Sequence, residues 1–218
     1  MSLLPDDSLL PDDEGLDLIH TRQYETRVYQ TSDDEMLVRG VVSDVKPPGL
    51  YVDGDPEPIE MHQMQLELKV RLPKLEIIEA KVLFETHPHS RCPIIAADYQ
   101  KLVGLSIARG FTHEIRHLFG GPKGCTHTNA LLQAMAPAVV QATWSVAVRR
   151  GLMNGKGRAA LSPEERSQRM AGNLNTCHIW AEDGEHVSAI RRGEPTETRP
   201  IPVVERLRAL GLEQRDPD

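Results

Sequence analysis

The sharpest pattern along the chain is strict alternation. Met64, Leu66, Leu68, Val70 and Leu72 are apolar, while Gln65, Glu67, Lys69 and Arg71 between them are polar. That is the period-two signature of a strand with one buried face. Pro73-Lys74 turns the chain, after which Ile78, Ala80, Val82 and Phe84 alternate with Glu79, Lys81 and Glu85. The two runs predict an antiparallel hairpin with one apolar face. Its other face, carrying Gln65, Glu67, Lys69, Glu79, Lys81 and Glu85, can stay in water. Upstream, residues 24–30 and 36–45 read as two further strands around an acidic turn at 32–35. A Pro/Gly-rich loop over 47–56 separates them from the hairpin.

After Cys92 the period changes. Pro93 suits a first helical turn, and residues 94–109 carry Ile95, Tyr99, Leu102 and Ile107 at helical spacings. Residues 111–119 predict a short helix stopped by Gly120-Gly-Pro-Lys-Gly124. A long helix over 125–150 follows, with Leu132, Met135, Val139, Ala142 and Val146 in one apolar stripe. Pro137 inside it predicts a kink or a local break in its hydrogen bonds. Residues 151–157 read as flexible. Ser162-Pro-Glu-Glu165 is a capping box that opens another helix, and a short helix is expected over 203–210. Strands first and helices afterwards indicate an α+β fold, a small antiparallel β-sheet with helices packed on one face. The expected organisation is a disordered acidic tail over 1–20, one α+β domain over 21–182, and a C-terminal extension over 183–218.

Composition narrows the function more by exclusion than by suggestion. The net charge is −7 over 218 residues, and Asp6, Asp7, Asp12, Asp13, Glu14 and Asp17 supply nearly all of it, so the remainder is close to neutral. A chain without a basic surplus, and with only 4% aromatic residues, is not expected to bind nucleic acid. No run of roughly 20 apolar residues and no leader stands out, so no membrane association and a cytoplasmic location are expected. Three cysteines cannot all pair within the chain, which favours free thiols over a disulfide scaffold. Gly-Gly-Pro-Lys-Gly lacks the Lys-Ser/Thr step of a phosphate-cradling loop.

Each cysteine lies near histidine: His87-Pro-His89-Ser-Arg-Cys92, Cys125-Thr-His127 and Cys177-His178. Thiolate and imidazole are preferred ligands of zinc and, together, of some iron–sulfur centres. Cys125 and His127 open the long helix, whose unpaired amides and partial positive charge favour a thiolate. His62 shares the parity of Met64, Leu66 and Leu68 and therefore points to the buried face. Cys92 opens a helix at the end of the hairpin. The candidate metal ligands are His62, Cys92, Cys125 and His127. His87, His89, Cys177 and His178 are weaker candidates, and His20, His113, His117 and His186 read as surface residues.

Gly-Gly-Pro-Lys-Gly-Cys125-Thr-His127, Met61-His62-Gln-Met64 and Asn175-Thr-Cys177 resemble the bacterial domain-of-unknown-function family numbered 2889, over roughly residues 20–182. That resemblance implies no activity. The block from Leu66 to Gly104 is also similar to the iron–sulfur scaffold proteins of the IscU and NifU type, in which a hairpin leads to a cysteine and then a helix. Carried over, it implies ligands near His62, at Cys92, and at Cys125 with His127. Here the first ligand is histidine rather than cysteine, and the last pair is Cys-x-His rather than His-Cys.

The leading expectation is a metal-binding accessory protein holding zinc or an iron–sulfur cluster, with a metal-receiving or oxidoreductase protein as partner. An alternative is an enzyme with Cys125 as nucleophile and a histidine base, His62 being favoured over the sequence-adjacent His127. A third is an interaction module whose cysteines are purely structural.

Overall fold

The computed structural model describes residues 10–11, 14–108, 110–150, 162–194 and 200–212. Most of the expected acidic tail and all of the expected flexible stretch 151–157 lie outside them. The described chain divides into two compact units, Met1–Ala147 and Val148–Asp218. The described residues 148–150 and 162–182, expected to close the α+β domain, fall in the second unit.

The first unit is built on a four-stranded antiparallel sheet in the order β1-β2-β3-β4. Its strands are β1 (Thr21–Gln30), β2 (Glu35–Lys46), β3 (Ile59–Arg71) and β4 (Glu76–Thr86). All four were legible, each extending a residue or more beyond its apolar pattern. One face buries Met36, Val38 and Val42 of β2, Met64, Leu66, Leu68 and Val70 of β3, and Ile77, Ala80 and Phe84 of β4. On the other face Lys69 pairs with Glu79, Lys81 with Glu79 and Glu67, and Arg39 with Glu67. Opposite charges on neighbouring strands keep that face compatible with water.

Beyond β4 the chain forms a 3₁₀ segment, Cys92–Leu102, then α1 (Phe111–Phe119) and α2 (Thr126–Arg149). The helix expected over 94–109 stops early. Gly104 adopts φ +91°, and the chain then runs extended beside β4. There the Ile77 amide donates to the Leu105 carbonyl and the Ile107 amide to that of Leu75, each at 2.8 Å. A further helical turn would forfeit those bonds. Its predicted end at Arg109 lies outside the described residues.

Helix α2 runs without interruption through Pro137. It buries Leu131, Leu132, Met135, Val139 and Val146, and Ala142 packs against the same core. Its 24 residues are long and apolar enough to cross a bilayer by length and composition, contrary to the sequence expectation. The stripe it buries is nonetheless part of the sheet's core. Gly40 is what lets α2 lie so close to β2, for a Cβ there would sit 2.5 Å from Met135 Sδ.

The second unit comprises α3 (Pro163–Met170), α4 (Glu185–Arg192) and α5 (Ile201–Ala209). Met170, Val187 and Ile190 form its small core, with Leu174 and Trp180 against them.

A candidate metal centre at the open end of the sheet

Cross-strand register explains how the site is assembled. Arg22 of β1 lies opposite Asp44 of β2, and Asp44 opposite His62 of β3. Directly opposed residues share a face, so the three side chains form a row on the side that carries the core. The row sits at the end of the apolar stripe, where β2 bulges between Asp44 and Val45. From above, α2 adds His127 in its first turn.

Asp44 is the hub. Only 2% of it is exposed, and a carboxylate so deeply placed must be paired. Arg22 Nε donates to Oδ1 at 2.6 Å and Nη2 to Oδ2 at 2.7 Å, a fork-to-fork pair. On the remaining side of Oδ2 stand His62 Nδ1 at 3.2 Å and His127 Nε2 at 3.1 Å. His20 Nε2 lies 3.5 Å from Oδ1. The rings of His62 and His127 stack with centroids 3.9 Å apart.

Burial pulls Asp44 toward protonation, but the Arg22 hydrogen bonds and charge outweigh it, so its pKa falls below 3.8. Desolvation lowers His62 below 6.5 against the pull of Asp44. His127 is lowered too, first by burial and then by its neighbour His62. Both rings are therefore neutral near pH 7, the form that ligates metals.

The most informative atom of the group is His62 Nδ1. It is buried and makes no hydrogen bond, although the Asp44 carboxylate lies 3.2 Å away. A buried nitrogen near but not bonded to an oxygen suits two ligands aimed at a common third point. Ligand atoms of Asp44, His62 and His127 all lie within 4.8 Å of one another, and this is the group able to hold a metal among the described residues.

The start of α2 is fixed from below. The Tyr99 hydroxyl accepts the Cys125 amide at 2.9 Å and lies 2.8 Å from Asn129 Oδ1, to which it donates. Asn129 Nδ2 in turn donates to the Phe119 carbonyl at 2.7 Å. Gly124 makes room, since a Cβ there would meet Phe119 O at 2.5 Å and the Tyr99 hydroxyl at 3.0 Å. Tyr99 is fully buried, and desolvation raises its pKa to about 12. It acts as a neutral bridge.

Of the four ligands read from the sequence, the fold brings His62 and His127 together. Cys125 stands behind them, its Sγ 3.7 Å from His127 Nδ1, the nitrogen facing away from Asp44. Cys92 does not join; it packs half-buried against the core, with its amide donating to the His89 carbonyl. His87 Nδ1 lies against that same carbonyl, at 3.0 Å. Cys177 is exposed in the second unit. Sequence reasoning passed over Asp44 and Arg22 and read His20, whose Nε2 lies 3.5 Å from Asp44, as a surface residue. The parity rule that singled out His62 also singles out Asp44, for Met36, Val38, Gly40, Val42 and Asp44 share one face of β2.

No curated protein and no solved structure matches this chain. Residues 20–141, which hold every member of the site, match the family described as a protein of unknown function, DUF2889. With more than half of its length covered, the chain belongs to the DUF2889 family.

Proposed function

We propose that this protein binds one divalent transition-metal ion, zinc first among them, through Asp44, His62 and His127, and acts as a metal-dependent accessory protein or carrier. The observation that carries the reading is the unbonded, buried His62 Nδ1 aimed beside the shared oxygen of Asp44. Two imidazoles and one carboxylate are a nitrogen–oxygen donor set that suits zinc or iron(II). An iron–sulfur cluster needs thiolates, and with Cys92 outside the group the donor set gives it no support. Three protein ligands leave a coordination position open, which suits transfer of the ion to a partner or chemistry at the ion better than a closed structural site. Arg22 fits as the outer partner that orients a ligating carboxylate.

Metal analysis and zinc titration of untagged protein test this. One equivalent is expected, lost in Asp44→Asn, His62→Gln and His127→Gln. Protein that stays metal-free, with melting unchanged on chelation, overturns it.

A second reading has its own support. Cys125 Sγ, His127 and Asp44 stand in line as nucleophile, base and orienting carboxylate, with sulfur at Nδ1 and carboxylate at Nε2. The base in this arrangement is His127 rather than His62, because the ring turns back over its own helix start. The two readings need opposite tautomers. A metal on Nε2 leaves the proton on Nδ1, whereas a base for Cys125 needs Nδ1 bare. Fast alkylation of Cys125 by iodoacetamide, insensitive to added zinc, favours the enzyme; protection by zinc favours the metal centre.

A further inference from the structure

The charges around the site are unbalanced in a way that identifies what the open position takes. Among the described residues, the permanently charged group in ion-pair contact with Asp44 is Arg22, at 2.6 Å, and an imidazole ligates a metal in its neutral form. The guanidinium cancels the carboxylate, and the two imidazoles are neutral. A divalent ion placed among them would keep its entire double charge in a half-buried pocket, a costly arrangement without a counter-charge. Glu60, the nearest acid along β3, is already committed: it accepts from Ser43 at 2.7 Å, Thr86 at 2.7 Å and Gln63 at 3.0 Å.

The exposure gradient says from which side a counter-ion arrives. The Asp44 side chain is 3% exposed, His127 17% and His62 22%, whereas His20 and Arg22 reach 36% and 37%. The solvent side of the group is thus the β1 side. Arg22 spends Nε and one Nη2 proton on Asp44. The Tyr24 hydroxyl adjoins the guanidinium. A partly exposed guanidinium that already holds a ligating carboxylate is suited to meet a second oxyanion from the solvent side.

We propose that the loaded site binds a small oxyanion, a carboxylate or phosphate group, with one oxygen at the metal's open position and its remaining charge against Arg22 and His20. This rests on the metal reading above, and it makes the ligand handled by the site an anion rather than a neutral molecule.

Cobalt(II) in place of zinc makes both steps visible in the full-length protein. Acetate is the probe, and sodium perchlorate, a weakly coordinating salt, at matched ionic strength is the control. The cobalt band is expected to shift saturably with acetate and not with perchlorate. Arg22→Gln, which also loses the partner that orients Asp44 and so is compared at saturating cobalt, should weaken acetate by roughly tenfold, the loss of one charge-assisted contact, with Arg22→Lys between the two. Absence of a band in the wild type overturns the metal centre and this inference together. A band unmoved by acetate well above the millimolar range overturns the inference alone, whatever the variants do. Acetate binding equally well to a folded Arg22→Gln protein removes Arg22 from the proposal.

Discussion

Replacing Tyr99 by phenylalanine tests how the fold holds the site. The ring stays, stacked on Phe119 with centroids 4.5 Å apart, and only the hydroxyl goes. Its contacts go with it: the bond from the Cys125 amide, the one to Asn129 Oδ1, and the longer approach to the Cys125 carbonyl at 3.2 Å. A hydrogen bond contributes about 0.5–1.5 kcal/mol net, and a buried group left unpaired costs about 1–3 kcal/mol. Cys125 is half-buried, so water can reach part of what is exposed. The expected loss is therefore about 2 kcal/mol, or roughly 4–8 °C in melting temperature for a chain of this size. The damage is local to the first turn of α2, which carries His127. Zinc affinity should fall with stability, by roughly tenfold, as it does when other groups orienting a ligand are lost. Thermal melting and zinc calorimetry on the same preparation measure both. A Tyr99→Phe protein that melts as the wild type does and binds zinc equally well would refute the claim that this hydroxyl positions the site.

Other consequences are as direct. His62 and His127 both titrate below 6.5 in the folded state, so the unfolded chain binds more protons just below that value. Stability of the metal-free protein should rise with pH through that interval and fall on acidification, and again below 3.8 as Asp44 is protonated. The His62→Gln/His127→Gln double variant should flatten the upper step in a melting series, and a wild-type melting temperature that climbs on acidification contradicts the assignment. Cys92→Ser should leave zinc affinity unchanged and cost about 1 kcal/mol of packing, seen in urea titration. Gly40→Ala should cost about 1–2 kcal/mol by driving a methyl against Met135, whose Cγ would be 2.8 Å away.

Strands were readable because the sheet buries one face, and alternation records that directly. Helix α1 was readable because glycines bound it on both sides, at Gly110 and Gly120. The 3₁₀ segment misled because Leu102 and Ile107 are both fully or almost fully buried, as a helix would have them. Ile107 is buried from an extended stretch instead. Periodicity reports which residues face the core but not which backbone takes them there.

The site divides along the same line. His62 was legible by parity, and Asp44 was equally legible, a charged residue on the apolar face of β2. What parity cannot supply is register: that Arg22, Asp44 and His62 form one row depends on how β1, β2 and β3 are offset. Once the row exists, the choice of donors follows from geometry. Cys125 caps the helix start with its backbone, through Tyr99, and its side chain lies behind the ring of His127. The imidazole two positions later is the group that turns toward β2. In the proposed metal centre the cysteine nearest the site would act on the outer nitrogen of His127, 3.7 Å from its sulfur, and leave coordination to nitrogen and oxygen.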